Sequence, residues 1–153
     1  MSIADLYDED FFRWTQSQAE ALRAEARRRN RSNAIDWEHL AEEVGDLGKS
    51  DLRECLSRTR TIIEHLLKLA ASRRAEPRPG WLVTVKTQRA DLKQVLTPSL
   101  RAKVSESLAK LHDDARDIAA TAFGDDEPDA LPLDKARAWS LEEILGEAND
   151  PIA

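Results

Sequence analysis

A proline-free run from Asp36 to Ser72 limits what this chain can fold into. Apolar residues recur along it at three- and four-residue steps: Trp37, Leu40, Ala41, Val44 and Leu47, then Leu52, Leu56, Ile62, Ile63, Leu66, Leu67 and Ala70. That period belongs to an amphipathic helix. Its stripe is expected to be buried against other helices, so the neighbouring segments must present apolar faces to it. Asp36 is a good N-cap, with Glu38 in the first turn. Gly45 and Gly48 interrupt the run, Ser50-Asp51 offers a second cap, and the stripe after Leu52 is rotated from the one before Leu47. A kink or a break is expected between Gly45 and Ser50.

The flanking segments repeat the helical pattern. Asp8-Glu9-Asp10 opens a helix whose apolar face is Phe12, Thr15, Ala19, Leu22 and Ala26, ending in Arg27-Arg28-Arg29. Glu76-Pro77-Arg78-Pro79-Gly80 reads as a linker. Trp81, Leu82, Val85, Leu92, Val95 and Leu96 give a further helical face; Val83-Thr84-Val85 is β-branched, but no partner strand is in prospect. Thr97-Pro98 starts a helix carrying Leu100, Val104, Leu108, Leu111, Ala115, Ile118 and Ala122, closed by Gly124. A short last helix runs from a Ser140/Glu143 capping box to Gly146. The expected architecture is all-α: a single-domain antiparallel helical bundle over residues 1–153, with four to five main helices plus a short C-terminal helix. An irregular acidic, proline-containing segment is expected at about 124–139.

Composition narrows the function classes. With 41% hydrophobic and 34% charged residues the chain is expected to fold as a globular protein. No run of eighteen uninterrupted apolar residues occurs, so no membrane span is expected. The acidic N-terminus lacks the pattern of a secretory signal, and the single cysteine, Cys55, allows no internal disulfide; both suit a reduced, cytoplasmic protein. A net charge of −6 argues against general affinity for nucleic acid. The charge is uneven: Arg73–Lys103 holds eight Lys/Arg against two acids, and Glu106 to the end holds thirteen acids against four basic residues. Solvated or mutually facing surfaces account for this.

Several stretches together resemble a known family, the mainly bacterial one catalogued as domain of unknown function 29. They are Tyr7-Asp8-Glu9-Asp10-Phe11 with Trp14, Leu40-Ala41-Glu42-Glu43 with Leu47-Gly48, His65-Leu66-Leu67-Lys68, Trp81 with Gln88-Arg89, and Pro98-Ser99-Leu100. The resemblance implies an all-helical fold and brings no activity or catalytic residue with it. It singles out the polar residues Glu42, Glu43, His65, Lys68, Gln88 and Arg89. Where the family has a proline-tyrosine signature, this chain has Arg137-Ala138-Trp139.

Candidate chemistry is sparse. His39, Glu42, Glu43 and Asp46 share one helical face, and with His65 (or His112) they could supply ligands to a metal in a helical-bundle enzyme. The order is His-x-x-Glu, occurring once, where di-metal bundles use Glu-x-x-His twice, and the face lies opposite the apolar stripe; a solvated face is preferred. Glu64-His65 and His112-Asp113-Asp114 would need to converge in a cleft to do acid–base work. Gly48-Lys49-Ser50 is no phosphate loop, because Glu43 stands where that motif needs glycine. Cys55 is expected in the core or at its boundary. Arg73, Arg74, Lys86, Arg89 and Lys93, with Trp81 beside them, could form a nucleic-acid patch. The preferred reading is a non-enzymatic protein, without cofactor, that binds a protein partner or its own copy. The alternatives are the metal-dependent bundle and the nucleic-acid module.

Overall fold

The computed structural model describes residues 2–125, 133 and 138–153. The fold is all-α, with no strand among the described residues. Among the described residues seven α-helices follow one another: α1 (Ile3–Glu9), α2 (Phe11–Ala26), α3 (Trp37–Ala71), α4 (Arg78–Val95), α5 (Pro98–Glu106), α6 (Leu108–Phe123) and α7 (Leu141–Leu145). The chain divides into two compact units: Met1–Glu54 with Thr97–Ala102, and Cys55–Leu96 with Lys103–Ala153. Helices α3 and α5 contribute to both.

In the first unit, α1 is a helix that the apolar pattern did not announce. A reciprocal capping box starts it: the Asp5 amide donates to Ser2 Oγ (3.2 Å) and the Ser2 amide to Asp5 Oδ2 (2.9 Å). Tyr7 meets Phe11 and Trp14 edge-on, with centroids 5.4 and 4.9 Å apart, and so fastens α1 to α2. Asp10 caps α2, the helix it was expected to open, while Asp8 and Glu9 belong to the last turn of α1 instead. The buried face of α2 is the expected one, Phe12, Thr15, Ala19 and Ala26.

Helix α3 corrects the expected break and the expected rotation of its stripe. It runs unbroken through Gly45 and Gly48 for 35 residues. Its buried row is Ala41, Gly45, Gly48, Cys55, Thr59, Ile62 and Leu66, with half-buried Leu52 between, so the steps are three and four residues throughout. No rotation of the stripe occurs, because the glycines belong to it. A Cβ on Gly48 would lie 2.1 Å from Thr15 Oγ1 and 3.2 Å from Phe12, and one on Gly45 3.5 Å from Ala19. At Gly48 α2 approaches α3 too closely for any side chain, whereas at Gly45 a Cβ would make an ordinary contact. The Gln16 side-chain amide then donates to the Gly45 carbonyl (3.2 Å).

The second unit encloses Ile62, Ile63, Leu66, Leu67, Val85, Leu92, Val104, Ala115, Leu141, Ile144 and Leu145, all essentially without solvent contact. The expected linker is shorter than its prolines suggest. Helix α4 already begins at Arg78 and takes Pro79 and Gly80 into its first turn, where proline sacrifices no hydrogen bond. Val83-Thr84-Val85 is helical. The helix expected from Pro98 to Phe123 is interrupted at Ser107. There the amide bonds back only three residues to Val104 (3.0 Å) and the hydroxyl takes the Lys103 carbonyl (3.1 Å). The Ser140/Glu143 box and left-handed Gly146 bound α7 as expected. Most of the segment at 124–139, Arg137 included, lies outside the described residues.

Candidate functional site

The polar residues picked out from the sequence are each committed to separate internal partners, or exposed. In the second unit Lys68 is more buried than its place off the stripe suggested, and pairs with Glu64 at 2.6 Å. The half-buried His65 ring bonds the Thr61 carbonyl (2.9 Å). Gln88 accepts from Arg58 Nη1 (3.1 Å), which also reaches Asp91. Arg89 is buried: Nε donates to the Ile144 carbonyl (2.7 Å), Nη2 to Glu143 (3.2 Å), and both Nη atoms to the Asp150 carboxylate (3.1 and 2.9 Å). It therefore closes the C-terminal end of α7 and faces inward, away from any basic surface formed by exposed Arg73, Arg74, Lys86 and Lys93. A Cβ on Gly146 would come within 2.8 Å of Arg89 Nη1, so glycine is needed there for space as well as for its φ of 72°.

His112 is buried under Trp139. Its Nδ1 faces the Leu108 carbonyl (2.8 Å), so Nδ1 carries the proton and Nε2 accepts from the Trp139 amide (3.0 Å). Burial lowers its pKa, reinforced by Arg116, against the upward pull of the Leu108 carbonyl and Asp113. The ring thus works as a neutral hydrogen-bonding post.

In the first unit Asp10 joins two stretches far apart in sequence. Oδ1 accepts the Arg13 amide of α2 (3.2 Å) and Oδ2 the Ser99 amide of α5 (2.9 Å). Burial pushes this carboxyl up, but the bonds from Ser99, Arg13 and Thr97 outweigh it and hold the pKa below the ordinary carboxylate value.

His39, Glu42, Glu43 and Asp46 are all exposed. His39 Nδ1 meets Asp36 at 2.7 Å, and that carboxylate raises its pKa. Asp46 pairs with Lys49 at 3.1 Å. His65 belongs to the second unit. Among the described residues no three His, Cys, Asp or Glu side chains gather in a metal-binding cluster. Cys55 is fully buried.

What the fold leaves open lies beside these acids. Trp37, Leu40, Val44 and Leu47 were expected to be buried. Instead Leu40 is 44% and Leu47 54% exposed, and Trp37 and Val44 are half-buried. The cause is the small-residue row: α2 packs on Gly45 and Gly48, one helical step round, and turns the leucines outward. Acidic side chains border them at helical spacing. Asp36 precedes Leu40 by one turn, Glu43 falls between the leucines, and Asp51 follows Leu47 by one turn. Burial pushes the Asp51 carboxyl up, and Glu54 adds like-charge repulsion. A G-x-x-G spacing within an apolar helix was the signal that could have located this surface, since it marks close helix approach.

A family described as domain of unknown function DUF29 matches residues 6–148. The chain belongs to this family. Its fold is similar to the crystal structure of an α-helical protein of unknown function from Rhodospirillum rubrum, with a TM-score of 0.81 and 29% identity, over 95% of this chain and 92% of the other. No curated protein matches. The DUF29 match takes in the Asp10–Ser99 junction, the open leucine row, and the Arg89 clamp apart from Asp150. No helix among the described residues is long and apolar enough to cross a membrane.

Proposed function

We propose that this DUF29 chain is a binding module that holds a helix of another polypeptide against the open row of α3, and does no covalent chemistry itself. The observation that carries it is the pair of rows on one helix. The row of Ala41, Gly45 and Gly48 is buried within the chain, while Leu40 and Leu47 stand open at helix-groove spacing. The magnitudes say how such a surface would act. Covering the exposed half of each leucine contributes about 1 kcal/mol. Association costs at least about 4 kcal/mol. Two leucines therefore do not hold a partner alone; Trp37, Val44 and the bordering carboxylates must share in it.

Site-specific photo-crosslinking tests this. A benzophenone side chain placed at Leu40 or Leu47 in the producing cells is expected to yield a discrete polypeptide adduct. The same group at Val83, exposed on α4, is the control. Absence of adducts at both leucines, or equal adducts at all three positions, would overturn the proposal.

A further inference from the structure

Resting on that docking, we propose that the helix received by the row is a basic amphipathic one, with Lys or Arg on both sides of its apolar stripe. Apolar and acidic side chains alternate along one face of α3, from Asp36 at its N-cap through Leu40, Glu43 and Leu47 to Asp51. Each step is three or four residues, so the five side chains lie in one line along the helix surface. Between Asp36 and Glu54 there are seven acids against Lys49 and Arg53. Lys49 is held by Asp46. Asp51 is half-buried and has no hydrogen-bond or ion-pair partner among the described residues. A lysine or arginine at the Leu47 flank would supply the countercharge Asp51 lacks, and one at the Leu40 flank would join His39 beside Asp36.

A second copy of the chain fits worse. A two-fold antiparallel pairing that sets Leu40 of one copy against Leu47 of the other also sets Asp36 against Asp51. Like charges would then be desolvated at both ends of the contact.

Two synthetic peptides of about 18 residues, five helical turns, test the charge requirement. They share one leucine pattern and carry either Lys or Glu at every polar position. Fluorescence anisotropy with the full chain reads their binding. The Leu/Lys peptide is expected to bind and the Leu/Glu peptide not. The double change Leu40→Gln with Leu47→Gln is expected to weaken binding about tenfold or more. Glu43→Gln with Asp51→Asn is expected to weaken it about three- to tenfold and to flatten its salt dependence. Equal binding of both peptides would overturn the basic partner and leave the docking row standing. No binding of the Leu/Lys peptide, or binding indifferent to the leucine changes, would also overturn the basic partner. Crosslinks from Leu40 to a second copy of this chain would do the same while keeping the row as a docking surface. Absence of crosslinks removes the docking itself.

Discussion

Asp10 and Arg89 show how single side chains tie distant parts of this sequence together. Asp10 caps α2 and α5 with its two oxygens, so Asp10→Ala leaves two part-buried amides short of an acceptor. An N-cap alone is worth about 1 kcal/mol, and an orphaned buried donor costs about 1–3 kcal/mol. The expected loss is about 2–3 kcal/mol in chemical denaturation, and Asp10→Asn should recover part of it. Arg89 makes four bonds from a planar fork, which lysine cannot reproduce. Arg89→Lys should therefore cost about 2–3 kcal/mol by the same measurement, since it strands the Glu143 and Ile144 carbonyls and half of the Asp150 pairing. That Asp10 starts α2 was legible in the sequence, but its bond to Ser99 and the clamp of Arg89 were not. Asp10 looked like an acidic helix start and Arg89 like part of a basic patch, because their partners lie 89 and 61 residues away.

At the scale of elements, the glycines decide what faces where. Gly48→Ala gains helix propensity, at most about 1 kcal/mol, but its new Cβ would fall 2.1 Å from the Thr15 hydroxyl oxygen in a filled interface. Overpacking of that kind costs about 1–3 kcal/mol, so the net effect on thermal unfolding should be destabilising. Gly80 in the first turn of α4 has nothing within 4 Å of a Cβ, and Gly80→Ala should stabilise by about 0.5 kcal/mol. The contrast explains what was legible. Caps and stops such as Asp36, Ser140 with Glu143, and Gly146 act through their nearest neighbours, and the sequence pattern places them correctly. So do the long apolar faces of α2, α4 and α6. The row Ala41–Gly45–Gly48 was missed because its residues carry little apolar surface, so the leucines beside them dominated the periodicity. The break at Ser107 was missed because Leu100–Ala122 has helical period on both sides of it. The open row, and with it the candidate site, became visible only once α2 was placed on the glycines.

The whole molecule should respond to acid in two stages. His112 has a folded pKa below the ordinary histidine value near 6.5, so the unfolded chain binds the proton more readily. Its neutral form therefore stabilises the fold at higher pH, and that contribution is lost as pH falls below about 6.5. His39 is shifted the other way by Asp36, and its contribution fades as pH rises; because it is exposed, its effect is screened and small. Asp10 and Asp150 have lowered pKa values, so their support persists until pH falls through the usual carboxylate range. The midpoint of thermal unfolding should thus decline as pH falls below about 6.5 in the native chain, and a His112→Gln variant should lack that first decline. The same unfolding experiment reaches the central claim, that α3 carries one row for the fold and another for a partner. The most direct measurement is the unfolding free energy of the Leu40→Gln, Leu47→Gln double variant. Glutamine keeps the helix propensity, so the fold should lose less than about 1 kcal/mol. If the leucines belonged to the core, their removal would cost about 4 kcal/mol or more. A loss of that size would contradict the open row and the function built on it.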